Sequence, residues 1–461
     1  MSSPQSAAER RVVITGVGLV SPLGLSPAEF AGALAAGRSG VSRRDGSDAA
    51  PQFAGFAGAF TGAIGDFGDL EGDAKKAIRK GLKLMCRETQ MAVAAAQHAL
   101  TDALTDGDTG QGGVDPERCG VVLGSDYMLT LPDDYADAIA KCCGEGGVDN
   151  GAFQYERWGD DGLDQMQPLW MLKYLPNMPA SHIAIYNDLR GPNNSLTMRE
   201  ASGLMALGEA FRIIARGDAD RMIAGATGTR VLPMQAIHAL QEVETPLVGQ
   251  QADGADPATL SKPFDRARRG MVCGEGAGMV VLESLASAEA RGARIYGEVV
   301  GFGSSVVTER PTAGKPLQGR NEIAIANALR GAMSDAGVEP SELGHVNADG
   351  VGAPAPDHAE AVAIRAALGD AADTVPVVAL KSYFGSLGAG SGVVELIGSL
   401  LALDESGPLA GKLPATLNHT ETDPECPIQV AAQPGTPAGD VFVSVNTTPQ
   451  GQAAAVCVRR G

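Results

Sequence analysis

Apolar positions along this chain follow two periods. Short runs dense in apolar residues predict strands: Val12–Val20, Gly120–Leu123, Ser195–Met198 and Arg221–Ala224 in the first half. Six more follow in the second half: Gly278–Leu282, Tyr296–Val300, His345–Ala348, Pro376–Leu380, Val441–Val445 and Ala454–Val458. Elsewhere apolar residues recur every three or four positions, which predicts helices over Glu88–Leu104, Asn321–Ala336, His358–Leu368 and Val393–Leu403. Alternation of this kind implies α/β layers. Phe60–Leu70 and Val248–Thr259 read as exposed loops, and the Asp/Gly-rich stretch Asp126–Gln167 reads as a surface cap.

One junction carries candidate chemistry. The strand-like Ser195–Met198 runs into Glu200-Ala-Ser-Gly, and a helical pattern follows (Leu204, Leu207, Ala210, Phe211, Ile214). A strand-to-helix elbow thrusts one side chain toward a helix N-terminus, where the positive dipole end favours an anion. In enzymes built this way that side chain is usually Cys or Ser, able to form a covalent intermediate. Here it is the carboxylate of Glu200.

Composition narrows the classes. At 461 residues the length suggests two or three domains, and 44% apolar content is ordinary for a globular core. No apolar run is long enough to span a membrane. The opening MSSPQSAAER is polar and small, without the apolar region of a signal peptide, so the chain is expected to be soluble and cytoplasmic, its first ten residues flexible. Seven Cys without framework spacing suit reduced thiols, and Cys142-Cys143 lack a CxxC partner. No His pair stands at metal-binding spacing, so neither metal nor cofactor is expected. Cys273 lies in a glycine-rich turn and reads as a buried thiol, and Ser202 as a small residue beside the elbow. The net charge of −19 argues against nucleic acid and anionic membranes. An acidic client would need a local basic patch. Lys75, Lys76, Arg79, Lys80 and Lys83 could supply one, or simply form a solvated helix face.

Several blocks resemble the β-ketoacyl-acyl carrier protein synthases, the condensing enzymes of fatty-acid and polyketide assembly. They are RVVITGVGLVSPLG (Arg11–Gly24) with GRSGV (Gly37–Val41), KYLPNMPASHIAIYNDLRGPN (Lys173–Asn193), the elbow, and GDADRMIAGATG (Gly217–Gly228). SKPFDRARRGMVCGEGAGMVVLE (Ser261–Glu283), HVNADGVGAPAPDHAEAVAI (His345–Ile364) and VVALKSYFGSLGAGSGVVE (Val377–Glu395) follow in the family's order. The resemblance implies a thiolase-like α/β fold of two similar halves in αβαβα layers, divided as 11–270 and 271–461. The 126–167 cap would lie near the pocket or a dimer interface. No internal repeat stands out in the sequence itself.

The resemblance also implies site residues. Where the family has its nucleophilic Cys, this chain has Glu200. Where the family's two His stand, it has Asp349 (in Asn347-Ala-Asp349-Gly350) and Ser386 (after Lys381-Ser-Tyr-Phe-Gly385). Lys381 matches the family's active-site lysine and Glu395 the carboxylate paired with it. If Glu200, Asp349 and Lys381 converge, two carboxylates share one buried lysine, as an acid/base pair or as an inert plug. The family's glycine-rich gating turn is replaced by Val445-Asn-Thr-Thr-Pro-Gln-Gly-Gln452, where Pro449 removes a backbone donor.

Three readings follow from this resemblance. The first is a non-condensing subunit similar to the chain-length factors that pair with a Cys-bearing ketosynthase, as a heterodimer. The second is a rebuilt enzyme acting on acyl thioesters through Glu200, Asp349 and Lys381, as a homodimer or heterodimer. The third is ordinary 3-oxoacyl-acyl carrier protein synthase activity. In each, the partner is an acyl carrier protein or acyl thioester.

Overall fold

The computed structural model describes residues 10–44, 51–70, 72–104, 113–242, 256–309 and 319–461. The first ten residues, except Arg10, and most of Val248–Thr259 lie outside them. Thirteen strands are present among the described residues: β1 (Val12–Val20), β2 (Val41–Arg43), β3 (Phe53–Gly55), β4 (Cys119–Ser125), β5 (Asn193–Thr197), β6 (Arg221–Thr229), β7 (Cys273–Ser284), β8 (Gly297–Val306), β9 (His345–Asn347), β10 (Pro376–Val378), β11 (Gln429–Val430), β12 (Val441–Thr447) and β13 (Gln452–Arg460). Eleven form one path in the order β11-β10-β9-β12-β13-β8-β1-β7-β6-β4-β5, while β2 pairs with β3 and β3 with β7.

Helices fill three layers around this path, as its two-sided burial requires. Ser391–Ala402 is buried at every position, as befits a helix apolar all round. Together with Ser202–Ala215 it forms a central layer, whose core joins Leu204 and Leu207 to Leu396 and Ile397. Arg87–Ala103 and Met178–Tyr186 cover the outer face of the β1-β7-β6-β4 side. Asn321–Ala336 and Pro354–Leu368 cover the outer face of the β8-β13-β12-β9 side. The result is the αβαβα thiolase-like arrangement.

The two halves share a packing device. On β1, a Cβ at Gly16 or Gly18 would lie 2.4 Å from the Ala99 carbonyl and 2.2 Å from the Ala95 carbonyl of the helix Arg87–Ala103. On the adjacent β8, a Cβ at Gly301 or Gly303 would lie 2.3 Å from the Ala332 carbonyl and 2.2 Å from the Ala328 carbonyl of Asn321–Ala336. Each Gly-x-Gly lets an alanine-rich helix lie directly on its strand.

One expectation holds only in part. Phe60–Leu70 is largely exposed or half-buried, but Phe60 and Phe67 are buried, their ring centroids 5.9 Å apart, and both join the core beneath Arg87–Ala103. The segment lacks a period because two aromatic anchors and a single turn at Ile64–Phe67 do the packing. No helix among the described residues is long and apolar enough to cross a membrane.

Candidate functional site

The elbow is built as its sequence implies. β5 ends at Thr197, a single turn spans Arg199–Ala201, and the helix Ser202–Ala215 follows. Ser202 fixes the junction: its hydroxyl donates to the Ser125 carbonyl (2.9 Å) and accepts from the Met198 amide (2.8 Å). Arg199 adopts φ +57°, a left-handed conformation costing on the order of 1 kcal/mol for a branched-free side chain held there by its surroundings. Its guanidinium donates to Gln450 Oε1 (3.2 Å) and lies 3.7 Å from Asp126.

Glu200 is buried and ion-paired with the equally buried Arg230, which follows β6; Arg199 lies 3.7 Å from the same oxygen, Oε1. The second oxygen, Oε2, is buried without a hydrogen-bond partner among the described residues.

A second buried cluster stands at the ends of β9, β10 and β12. Lys381 Nζ pairs with Glu395 Oε1 (2.6 Å) and Asp349 Oδ1 (2.8 Å), and donates to the Asp349 carbonyl (2.7 Å). Asn446 Nδ2 bridges the same two carboxylates, at 2.7 Å from Asp349 Oδ1 and 3.0 Å from Glu395 Oε2. Burial alone would lower the Lys381 pKa, but the charges of Asp349 and Glu395 hold it above the ordinary lysine value. With one cation for two carboxylates, burial pushes Glu395 up to about 7 despite Lys381. Around them, Glu360 accepts the amides of Asp349 (2.7 Å) and Gly350 (2.8 Å), and burial followed by the Asp349 charge raises its pKa. Asp357 accepts the amides of Phe264, Val351 and Gly352, and burial raises it to about 7.

The lysine is therefore shared by Asp349 and Glu395, not by Asp349 and Glu200. The elbow carboxylate has arginine partners instead, because β6 delivers Arg230 to it. Ser386 is buried with an unpartnered hydroxyl, its amide donating to the Val272 carbonyl (2.8 Å). Cys273 is a buried thiol raised to about 11 by burial. No cluster of His, Cys, Asp and Glu able to hold a metal exists among the described residues.

Comparison with known proteins places this geometry. The model of the β-ketoacyl synthase N-terminal domain matches residues 9–288, and that of the C-terminal domain matches 296–420. The chain belongs to the β-ketoacyl synthase family. It is 32% identical to 3-oxoacyl-[acyl-carrier-protein] synthase 2 of Synechocystis sp., over 91% of this chain and 90% of the relative. It is 33% identical to the tetracenomycin polyketide synthase ketoacyl synthase alpha subunit of Streptomyces glaucescens, over 91% and 89%. Among solved structures, the ishigamide ketosynthase/chain length factor superposes with a TM-score of 0.75 at 29% identity, covering 98% of this chain and all 100% of that one.

Within this family member, three residues of the two clusters were not singled out by the sequence reading. Arg230 lies thirty positions beyond Glu200, Asn446 sits near the end of β12, and Glu360 is the seventh residue of the helix Pro354–Leu368. The signal for Arg230 was a cation directly after a strand whose last eight positions, Met222–Thr229, carry no charge. The turn after β12 spends its own donors: Thr448 donates to the Gln452 carbonyl (2.8 Å) and Gly451 to the Thr448 carbonyl (3.0 Å), while Pro449 has none. Chemically, the two clusters present ion-paired carboxylates, Glu200 on Arg230 and Asp349 with Glu395 on Lys381.

Proposed function

We propose that this β-ketoacyl synthase homologue is a non-condensing subunit of fatty-acid or polyketide assembly, paired with a Cys-bearing ketosynthase in the manner of a chain-length factor. The observation that carries this reading is the ion pair of Glu200 with Arg230. A carboxylate neutralised inside the protein is a weak nucleophile, and an acyl group on it would be a reactive anhydride. Glu200, Asp349 and Ser386 then stand where the family's Cys and two His would act. Lys381, Glu395 and Asn446 fill the rest of the disused site as a plug.

The edge of the sheet supports pairing. β5 closes the path with β4 as its one neighbour among the described residues, and its residues are exposed or half-buried. A bare edge strand is a template for another chain. Exposed Ile185 lies on the helix Met178–Tyr186, which packs against β5. An acyl carrier protein would be met by the exposed basic side chains of the helix Gly72–Gly81 and by Lys83, a local patch on a chain of net charge −19.

A second reading has its own observation. The unpartnered Oε2 of Glu200 leaves a lone pair for proton abstraction, which favours an enzyme with altered chemistry on acyl thioesters. The Glu200→Gln variant separates the two. Unchanged product formation by the paired ketosynthase supports the plug; abolished turnover on acyl-carrier substrates with intact pairing supports chemistry at Glu200.

A further inference from the structure

Behind the Glu200–Arg230 pair lies a chamber of about 20 Å³, lined by Glu88, Tyr127, Arg199, Arg230, Gln235 and His238 among others. That is room for about one water molecule. Tyr127 lines it, its hydroxyl 2.9 Å from His238 Nδ1 and the two rings 5.1 Å apart. The Arg199 guanidinium lies 5.8 Å over the Tyr127 ring from the elbow side. On the opposite wall Gln235 Nε2 donates to the buried Glu88 Oε1 (3.1 Å), and burial raises the Glu88 carboxyl above its usual range.

Two lining side chains, each more than nine-tenths buried, carry polar atoms with no partner among the described residues: Arg230 Nε, a donor, and Gln235 Oε1, an acceptor. A water accepts from the first and donates to the second. A methylene chain satisfies neither, and each unsatisfied group costs roughly tenfold in affinity or more.

We propose that this chamber takes a water-sized polar ligand and shuts out acyl chains, with Tyr127 and His238 as the residues that set the limit. The inference rests on the pairing reading and sharpens it: the growing chain is held by the partner subunit, not behind this subunit's own elbow.

The test uses octanoyl-pantetheine carrying a terminal diazirine, irradiated with the protein in the assembly it forms, and peptide mapping of the label. The unaltered protein is expected to carry no label on Met128 or on 227–239, and the Tyr127→Ala/His238→Ala variant to gain it there. Label at those positions in the unaltered protein overturns the proposal. So does a folded double variant, melting like its parent, that gains none. A high-resolution density map supplies a measurement free of any variant: a single water peak between Arg230 Nε and Gln235 Oε1 supports the chamber as drawn, and alkyl density contradicts it. Native mass of the same samples scores pairing separately, so a lone homodimer would sink the pairing reading and leave the labelling result standing.

Discussion

Glu200 and Arg230 form an ion pair in which both side chains are only 7% exposed, at the point where the elbow meets the end of β6. Both groups are buried, and each is the other's nearest opposite charge; Arg199 lies farther off, 3.7 Å from Glu200 Oε1. The Arg230→Met variant should lose about 3–5 kcal/mol of stability, and Glu200→Ala a similar amount, because each leaves a buried charge unpaired. The double variant should lose clearly less than the sum. Denaturant titration of the four proteins checks this, and additive losses would show the pair is not coupled.

Lys381 answers to two carboxylates at once. Lys381→Met should cost about 3–5 kcal/mol at neutral pH and less at pH 5, where Glu395 can take up a proton. A loss independent of pH would argue that packing, rather than charge, is what the lysine provides.

The raised carboxyls set a pH dependence. Glu395, with an ordinary value of 4.5, and Asp357, with an ordinary value of 3.8, both hold their protons in the folded state to about 7. The unfolded chain releases those protons earlier, so it binds fewer across that window. Stability from these groups is therefore full below about pH 4 and falls as pH rises to 7, by at most about 3 kcal/mol for Glu395 and about 4 kcal/mol for Asp357. Thermal melts from pH 5 to 8 should show the decline, and Glu395→Gln should flatten it.

Asn446 donates to Asp349 and Glu395 together. Removing both bonds with Asn446→Ala should cost about 2–3 kcal/mol. Asn446→Asp should cost more, because it adds a third carboxylate around one lysine. Equal losses would mean the amide serves only as a space filler.

Long periodic segments were legible. β1 and the helix Asn321–Ala336 have the bounds their patterns predict. Their regular burial writes the period into the sequence. The family blocks also led to Asp349, Lys381 and Glu395, which meet in space. What stayed hidden depends on contacts between distant residues. Arg230 reaches Glu200 only because β6 ends beside the elbow, and no spacing rule encodes that. Phe60 and Phe67 pack a stretch without repeat. The paired Gly-x-Gly of β1 and β8 is two glycines each, too short to stand out until the helices above them are seen. Asn446 belongs to a strand end whose neighbours are set by the β12 pairings.

The central claim is that this chain works as a partner rather than as a condensing enzyme on its own. Native mass spectrometry of the protein drawn from its own cells tests it most directly. A one-to-one complex with a β-ketoacyl synthase bearing the family's Cys is the expected result. A clean homodimer would contradict the claim and turn attention to Glu200, Asp349 and Lys381 as an active site in their own right.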